Sequence, residues 1–113
     1  MFPRHYRLHA SSEIKNVMRE KRALRENGLF LKWKHNKQDV SRFAIIVSSR
    51  VAKKATDRNR LKRLLRAALF LRKDFPRGLD VVLVAQPGCA VKKLSDATGL
   101  LAKLFHTSPL FAP

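Results

Sequence analysis

The chain lacks the residue clusters from which proteins usually build catalytic and metal sites. Its single cysteine, Cys89, excludes an intrachain disulfide and a cysteine-based metal site. Only 8 acidic residues stand against 25 Lys and Arg, and no two of them have the spacing of a general acid and base or of a metal-binding pair. The histidines are separated as well, at His5, His9, His35 and His106. We therefore predict no catalytic residue in this chain.

Long apolar runs are also missing. The longest, such as GLDVVLVA at residues 78–85, fall far below the roughly 20 residues of a membrane-spanning helix. The N-terminal sequence MFPRHYRLHASS has no apolar segment of the kind found in signal peptides. These absences predict a cytoplasmic protein with no membrane partner. Residues 1–113 are enough for one domain, with frayed termini at about 1–6 and 107–113.

The dominant feature that is present is positive charge. The formal net charge is +17, while 45% of the residues are hydrophobic, so the composition is that of a folded basic domain rather than a disordered tail. Such an excess of one sign destabilises the compact state by self-repulsion. A polyanionic partner, with nucleic acid as the leading candidate, best explains it, and no obligate protein partner is evident.

Hydrophobic periodicity predicts an α+β fold. The segment RFAIIVSS from Arg42 is apolar on both faces, which is typical of a strand near the centre of a sheet. It is followed by a helix and a second buried strand, which indicates a βαβ unit in a single-domain α/β sandwich. Ser11 or Ser12 is expected to cap the first helix, and Ser95 the last. The predicted order is helix, two or three strands, helix, strand, helix, at residues 11–24, 29–34, 42–49, 56–73, 80–85 and 95–105.

The segment TDRNRLKRLLRAALFLRK, residues 56–73, is the most informative helix. Its apolar residues share one arc that can dock on a sheet, namely Leu61, Leu64, Leu65, Ala68 and Leu69. Four polar residues lie together on the other side, in a strip about 10 Å long: Asn59, Lys62, Arg63 and Arg66. Arg58 falls at the margin of this strip, and Arg60 projects from the opposite flank.

The chemistry of this strip suits nucleic acid. Arginine offers planar pairs of donors that match phosphate oxygens, and asparagine offers both a donor and an acceptor. A solvated helix face usually mixes both signs of charge, whereas here Asp57 and Asp74 stand only at the ends. Charge alone leaves three alternatives open: a non-enzymatic RNA-binding protein such as a ribosomal protein or RNA chaperone, a major-groove DNA-binding protein, and a membrane-surface helix.

Three sequence blocks favour one family among these alternatives. RNRLKRLLR, residues 58–66, resembles the arginine-asparagine-arginine signature of the bacterial ribonuclease P protein subunit. That family is the small basic partner of the catalytic RNA that removes the 5′ leader of precursor tRNA. YRL at residues 6–8, FAIIVSSRVAKKATDRNRLKRLLRAALF at 43–70 and DVVLVAQPG at 80–88 resemble family blocks in the same order.

The resemblance implies a fold, two binding surfaces and a metal requirement. The βαβ crossover would be left-handed, against the usual preference, and the endonuclease reaction would be carried by the RNA subunit with Mg²⁺. Residues expected to bind the RNA subunit are Arg58, Asn59, Arg60, Lys62, Arg63 and Arg66. Residues expected to bind the precursor tRNA leader are Ile14, Met18, Phe30, Lys32, Ser48 and Arg50.

Two details of this implied site concern this chain in particular. No residue is expected to bind Mg²⁺ with certainty, and Asn59 is the one residue expected near a bound ion. The family usually presents phenylalanines to the leader from its first helix, where this chain has Ile14 and Met18. Aromatic stacking contributes about 1–3 kcal/mol per base, so leader binding is expected to depend more on charge here.

Overall fold

The structure is a computed structural model that describes residues 7–8, 11–72, 77–89 and 91–106. Within these residues it has three helices and four strands, in the predicted order with all three of the early strands present. The termini predicted to fray lie outside the described residues. The elements are α1 (Ser11–Met18), β1 (Leu24–Glu26), β2 (Leu29–His35), β3 (Arg42–Val47), α2 (Ala55–Phe70), β4 (Leu79–Ala85) and α3 (Leu94–His106).

The strands form one mixed sheet in the order β1-β2-β4-β3. β1 and β2 are antiparallel, as are β2 and β4. β3 and β4 are parallel neighbours joined through α2, which confirms the predicted βαβ unit and the α+β class. The handedness of this crossover stays a prediction.

Helices cover both faces of the sheet, because side chains alternate along each strand. On β4, Val81 and Leu83 point to the face that α2 and α3 cover, while Val82 points to the face that α1 covers. All three of these β4 side chains are fully buried. The predicted sandwich is therefore confirmed, and α1 is the one helix of the described residues on its side of the sheet.

The first helix is shorter than predicted. We expected it to reach about Leu24, but α1 ends at Met18 and Leu24 begins β1. The turn at Asn27 and Gly28 explains the difference, since both residues have positive φ angles, 39° and 87°. That combination closes a two-residue hairpin and pairs β1 with β2. Leu24, opposite Leu31, then packs against the core from a strand rather than a helix.

The position predicted for β3 near the sheet centre is wrong. β4 is central and almost wholly buried, whereas β3 is the last strand in the order. β3 is apolar on both faces because α2 lies against one face and the layer containing α1 against the other. Coverage of both faces produces the same apolar pattern as a central position, so the pattern could not distinguish them.

Two helix ends also differ from the sequence prediction. α2 ends at Phe70 rather than Lys73. α3 begins at Leu94, so Ser95 lies inside it and is not its cap. Instead the carboxylate of Asp96 accepts hydrogen bonds from the main-chain N–H groups of Lys92 and Lys93, at 3.1 and 3.3 Å. An acidic side chain in the first turn can thus reach back to main-chain donors at and before the start of the helix, as in a capping box.

Candidate nucleic-acid interface

The outward face of α2 presents an uncompensated positive surface. Leu61, Leu65 and Leu69 are buried against the sheet and α3, and they fix the rotation of the helix. The four residues predicted on the other side form what we call the basic strip, namely Asn59, Lys62, Arg63 and Arg66. Within the described part of the chain, none of the four has a hydrogen-bond or ion-pair partner. Their donors are therefore available to a ligand.

Two other arginines predicted to bind RNA also hold the protein together. One guanidinium nitrogen of Arg58 donates to the carbonyls of Ala52 and Lys53, at 3.0 and 2.8 Å. Arg60 donates to the carbonyl of Lys92 at 3.0 Å. These bonds tie α2 to the connector before it and to the segment before α3. Arg58 is half-buried and Arg60 is exposed, so both residues make a structural contact while part of each remains at the surface.

The positive charge on α2 is balanced by only one acid within the helix itself. Asp57 in the first turn is the only acidic residue of the helix. Burial, and secondly the positive charge of Arg7, lower the pKa of the Arg66 guanidinium below its ordinary value. Arg66 is thus partly desolvated and close enough to Arg7 for the two positive charges to repel one another.

The opposite face of the sheet gathers four of the six residues predicted to bind the leader. Ile14 and Met18 of α1 are half-buried against the apolar cluster on this face. Phe30 and Lys32 project to the same face of β2, two positions apart. We call this surface the α1 groove and define it by Ile14, Met18, Phe30 and Lys32.

Two residues of the α1 groove are already engaged. The ammonium of Lys32 donates to the carbonyl of Met18 at 2.9 Å. The guanidinium of Arg25 lies over the ring of Phe30, 5.1 Å from its centroid, within the range of a cation–π contact. Sequence reasoning missed Arg25 because it predicted a helix up to about Leu24 and no strand before Leu29, so Arg25 was assigned to no element. The strand alternation of Arg25 opposite Phe30 would have revealed it.

Ser48 and Arg50 lie outside the α1 groove. Both are exposed in the turn that follows β3, which a bond from the N–H of Val51 to the carbonyl of Ser48 closes at 3.1 Å. The turn connects β3 to α2. One face of β3 lies on the same side of the sheet as α1, and α2 carries the basic strip. The structure therefore brings four predicted leader residues to one face and places these two in the connection between β3 and α2.

Two acids on the α1 side of the sheet, Glu13 and Asp80, belong to a structural ion-pair cluster. Arg42 donates twice to the carboxylate of Asp80, at 2.9 and 2.8 Å, and also to Glu13 of α1. These bonds raise the pKa of Arg42, although its burial opposes the rise. Among the described residues no group of three or more His, Cys, Asp or Glu could hold a metal ion. None of the described helices is long and apolar enough to cross a membrane.

Comparison with known proteins decides the family. The sequence model of the family Ribonuclease P matches residues 2–108. The chain belongs to the ribonuclease P protein family. The ribonuclease P protein component of Synechococcus elongatus is 38% identical over 91 residues, which cover 76% of this chain and 75% of that protein. The component of Pseudoalteromonas translucida is 32% identical over 105 residues, covering 93% and 75%.

Solved structures of ribonuclease P proteins share the fold. The Thermotoga maritima protein aligns with a TM-score of 0.74 at 27% identity, over 87% of this chain and 94% of that one. The Staphylococcus aureus protein aligns with a TM-score of 0.82 over 95% and 98%, and at 18% identity this likeness supports the fold alone. The resemblance inferred from the sequence blocks is thereby confirmed for family and fold.

Proposed function

We propose that this chain is the protein subunit of ribonuclease P. It binds the catalytic RNA subunit through the basic strip and the 5′ leader of precursor tRNA through the α1 groove. The holoenzyme then hydrolyses the phosphodiester bond that joins the leader to the mature 5′ end of the tRNA. The observation that carries this proposal is the basic strip itself. In a chain of this family, its four polar residues have no partner among the described residues, and the other face of the helix is buried in the core.

Contact with the RNA subunit follows from the chemistry of the strip. Arg63 and Arg66 each provide a planar fork of donors that matches two phosphate oxygens. Lys62 adds a point charge beside them, and Asn59 can meet a ribose hydroxyl or a base edge. Because an RNA helix is read chiefly through phosphates and 2′-hydroxyls, this set recognises backbone shape rather than sequence.

Leader binding depends on the α1 groove and on its charged margin. A single strand gains affinity from positive charge along its backbone and from aromatic faces for its bases. Ile14 and Met18 give α1 an apolar but non-aromatic surface, and Phe30 is covered on one side by Arg25. Arg25 and the exposed Arg50 are then the residues most suited to leader phosphates. Mature tRNA has no leader, so this contact favours precursor over product.

Mg²⁺ is proposed to bind to the RNA subunit and the substrate and to supply the chemistry of phosphodiester hydrolysis. The described carboxylates do not form a set of metal ligands, and Glu13 and Asp80 are already bound by Arg42. The side-chain oxygen of Asn59 can accept a hydrogen bond from an ion's water shell. The protein's positive charge neutralises phosphates where RNA and leader meet, which lowers the Mg²⁺ concentration required. Such a holoenzyme is expected to act in the cytoplasm.

Reconstitution tests the proposal. The purified chain is combined with the ribonuclease P RNA of its own source and a precursor tRNA, and initial cleavage rates are measured across a Mg²⁺ titration. We expect the chain to increase cleavage at low Mg²⁺ and to tighten binding of leader-bearing substrate relative to mature tRNA. The chain could instead change neither the cleavage rate at low Mg²⁺ nor the affinity for leader-bearing substrate relative to mature tRNA, and copurify with ribosomal RNA. A non-enzymatic RNA-binding role would then replace this one.

A further inference from the structure

A cavity of about 340 Å³ opens beside the start of α2. It is bordered by the connector before α2, the first turns of α2 and the segment between β4 and α3. Most of its lining is apolar, and four of these side chains are half-buried at the margin of the core: Val51, Leu64, Cys89 and Val91. An apolar cavity of this volume with a few polar groups is the usual form of a small-ligand site.

The walls of this cavity are held in place by the protein itself. Arg58 ties the connector to α2 through two carbonyls, and Arg60 ties the segment before α3 to α2 through the carbonyl of Lys92. The turn between β1 and β2 supports a third side. Gly28 lies so close there that a Cβ atom on it would be 2.5 Å from the main-chain nitrogen of Cys89. The cavity is therefore preformed, and a ligand would bind without having to order it.

Three charged side chains surround the mouth of the cavity, and one of them is an acid. Arg60 and Lys92 are positive and exposed, and Asp57 is the one acid of α2. Among the described residues Asp57 makes no hydrogen bond or ion pair, so both of its carboxylate oxygens can accept bonds from a ligand. Residues three apart are neighbours on a helix surface. Arg63, Arg60 and Asp57 therefore form a row that leads from the basic strip to the cavity.

An acid in this position is unexpected on a surface that binds RNA. The start of a helix favours an acid, but a carboxylate beside bound phosphates weakens binding by repulsion, unless it accepts hydrogen bonds from the RNA. The N–H donors of RNA belong to its bases. We infer that the cavity binds one unstacked nucleobase of the RNA subunit and that Asp57 reads the Watson–Crick edge of this base. That the base belongs to the RNA subunit rests on the proposed function, whereas the cavity itself does not.

Guanine fits this site best. Its Watson–Crick edge has two neighbouring N–H donors, which match the two oxygens of a carboxylate, whereas uracil offers one N–H between two carbonyls that a carboxylate repels. The apolar lining contacts the faces of the unstacked base. Arg60 and Lys92, at the mouth, can bind the phosphates on either side of it. The basic strip thus recognises backbone shape, and the cavity adds recognition of one base.

Affinity for the RNA subunit tests the role of Asp57. Filter binding compares the parent with Asp57→Asn and with Asp39→Asn, whose acid is exposed in the turn between β2 and β3. Asparagine keeps the shape of aspartate, and urea unfolding checks that both variants are folded. We expect Asp57→Asn to bind about tenfold more weakly, although it removes a negative charge. Asp39→Asn should bind like the parent or more tightly.

The direction of the change separates recognition of a base from simple electrostatics. On charge alone, both variants should bind the RNA subunit more tightly than the parent does. If Asp57→Asn bound as tightly as the parent or more tightly, base recognition would be overturned, while the proposed function would stand on the affinity of the parent. If the parent did not bind the RNA subunit, the proposed function would fail, and mononucleotides alone would decide whether the cavity binds a base.

Mononucleotides test the cavity on the protein alone, because the one thiol of the chain, Cys89, lines it. Alkylation of Cys89 by iodoacetamide is followed by mass spectrometry with increasing 5′-GMP, 5′-UMP or sodium phosphate at constant ionic strength. We expect GMP to slow alkylation in a saturable manner in the parent and in Asp39→Asn, with a smaller effect of UMP and none of phosphate. Asp57→Asn should lose the difference between GMP and UMP. Equal rates with GMP, UMP and phosphate in the parent would overturn the cavity as a base-binding site.

Discussion

The ammonium group of Lys32 on β2 donates a hydrogen bond to the main-chain carbonyl of Met18, the last residue of α1, across 2.9 Å. The carbonyls of a final helical turn have no partner within the helix and carry partial negative charge. Lys32 satisfies one of them from the neighbouring sheet. A residue expected to bind the leader thus also fixes the end of the helix beside it, and its two roles can be separated experimentally.

Replacing Lys32 should destabilise the protein itself, independently of any contact with RNA. We expect Lys32→Met to lower the free energy of unfolding by about 1 kcal/mol, because it removes a charge-assisted hydrogen bond while keeping the length of the side chain. Urea unfolding measures this change. Lys34→Met is the matched control, since Lys34 is exposed two positions along the same face of β2. Equal losses in the two variants would contradict a specific role for the bond to Met18.

The cluster around Arg42 should contribute more to stability. Arg42 joins Glu13 of α1 to Asp80 of β4, and the Arg42 and Asp80 side chains are only 18% and 13% exposed. Removing one partner of a buried ion pair leaves an uncompensated charge. We expect Arg42→Met to lower the free energy of unfolding by about 2 kcal/mol, discounted for the partial exposure of Glu13.

Single replacements of Asp80 and Glu13 show which of the two ion pairs of Arg42 contributes more to stability. Asp80→Asn should cost more than Glu13→Gln, because Asp80 accepts two bonds from Arg42 and one from Asn36 at 2.9 Å. Urea unfolding of the three variants provides the measurement. The opposite ranking of the two acid variants would show that the link to α1, rather than the link within the sheet, carries the stabilisation.

Sequence reasoning succeeded where a single helical repeat determined which residues of an element are buried and which are exposed. In α2 the same helical repeat buried Leu61 and Leu65 and exposed Asn59 and Arg63. It failed where the deciding contact was distant in sequence. Leu24 continued the helical spacing of α1, and only its pairing with Leu31 across the hairpin made it a strand residue.

The candidate site shows the same limit. The residue types on α2 predicted its outward donors, but the carbonyls that Arg58 and Arg60 contact come from segments folded against the helix. Arg7 was quoted in a family block, yet its proximity to Arg66 depends on the register of a two-residue segment against β3. Such encounters require the tertiary fold, which local patterns do not contain.

The two proposed RNA surfaces should respond differently to substitution. Arg63→Ala is expected to weaken assembly with the RNA subunit and to reduce by about one the slope of the logarithm of affinity against the logarithm of salt concentration. Met18→Ala should reduce affinity for leader-bearing tRNA while assembly persists. Filter binding at several salt concentrations, with RNA subunit and precursor tRNA as separate ligands, measures both.

A control is needed because Met18 is half-buried against the apolar cluster of the α1 face. Met18→Leu conserves volume and should keep stability within about 1.5 kcal/mol. If leader affinity followed stability across the Ala and Leu variants, Met18 would be only a core residue. A loss of assembly in Met18→Ala with no loss in Arg63→Ala would reverse the proposed division between the two surfaces.

Cys89 should report the integrity of the segment between β4 and α3. Burial raises the pKa of its thiol, although a hydrogen bond from the backbone at Val91 partly opposes the rise. The thiolate is the reactive form, so iodoacetamide should modify the native protein more slowly than the urea-unfolded chain at the same pH. Mass spectrometry over time provides the rates, and equal rates would show that the native thiol is not protected.

The raised pKa of the Cys89 thiol also makes the stability of the protein depend on pH. Because the pKa is higher in the folded state, the folded protein binds the thiol proton more tightly than the unfolded chain does. This contribution is fully present below the unfolded pKa, about 8.5, and is lost as the pH rises through the folded value. We therefore expect the difference in unfolding free energy between the parent and Cys89→Ala to become smaller at alkaline pH. Urea unfolding between neutral and alkaline pH measures it, and a pH-independent difference would contradict the burial of the thiol.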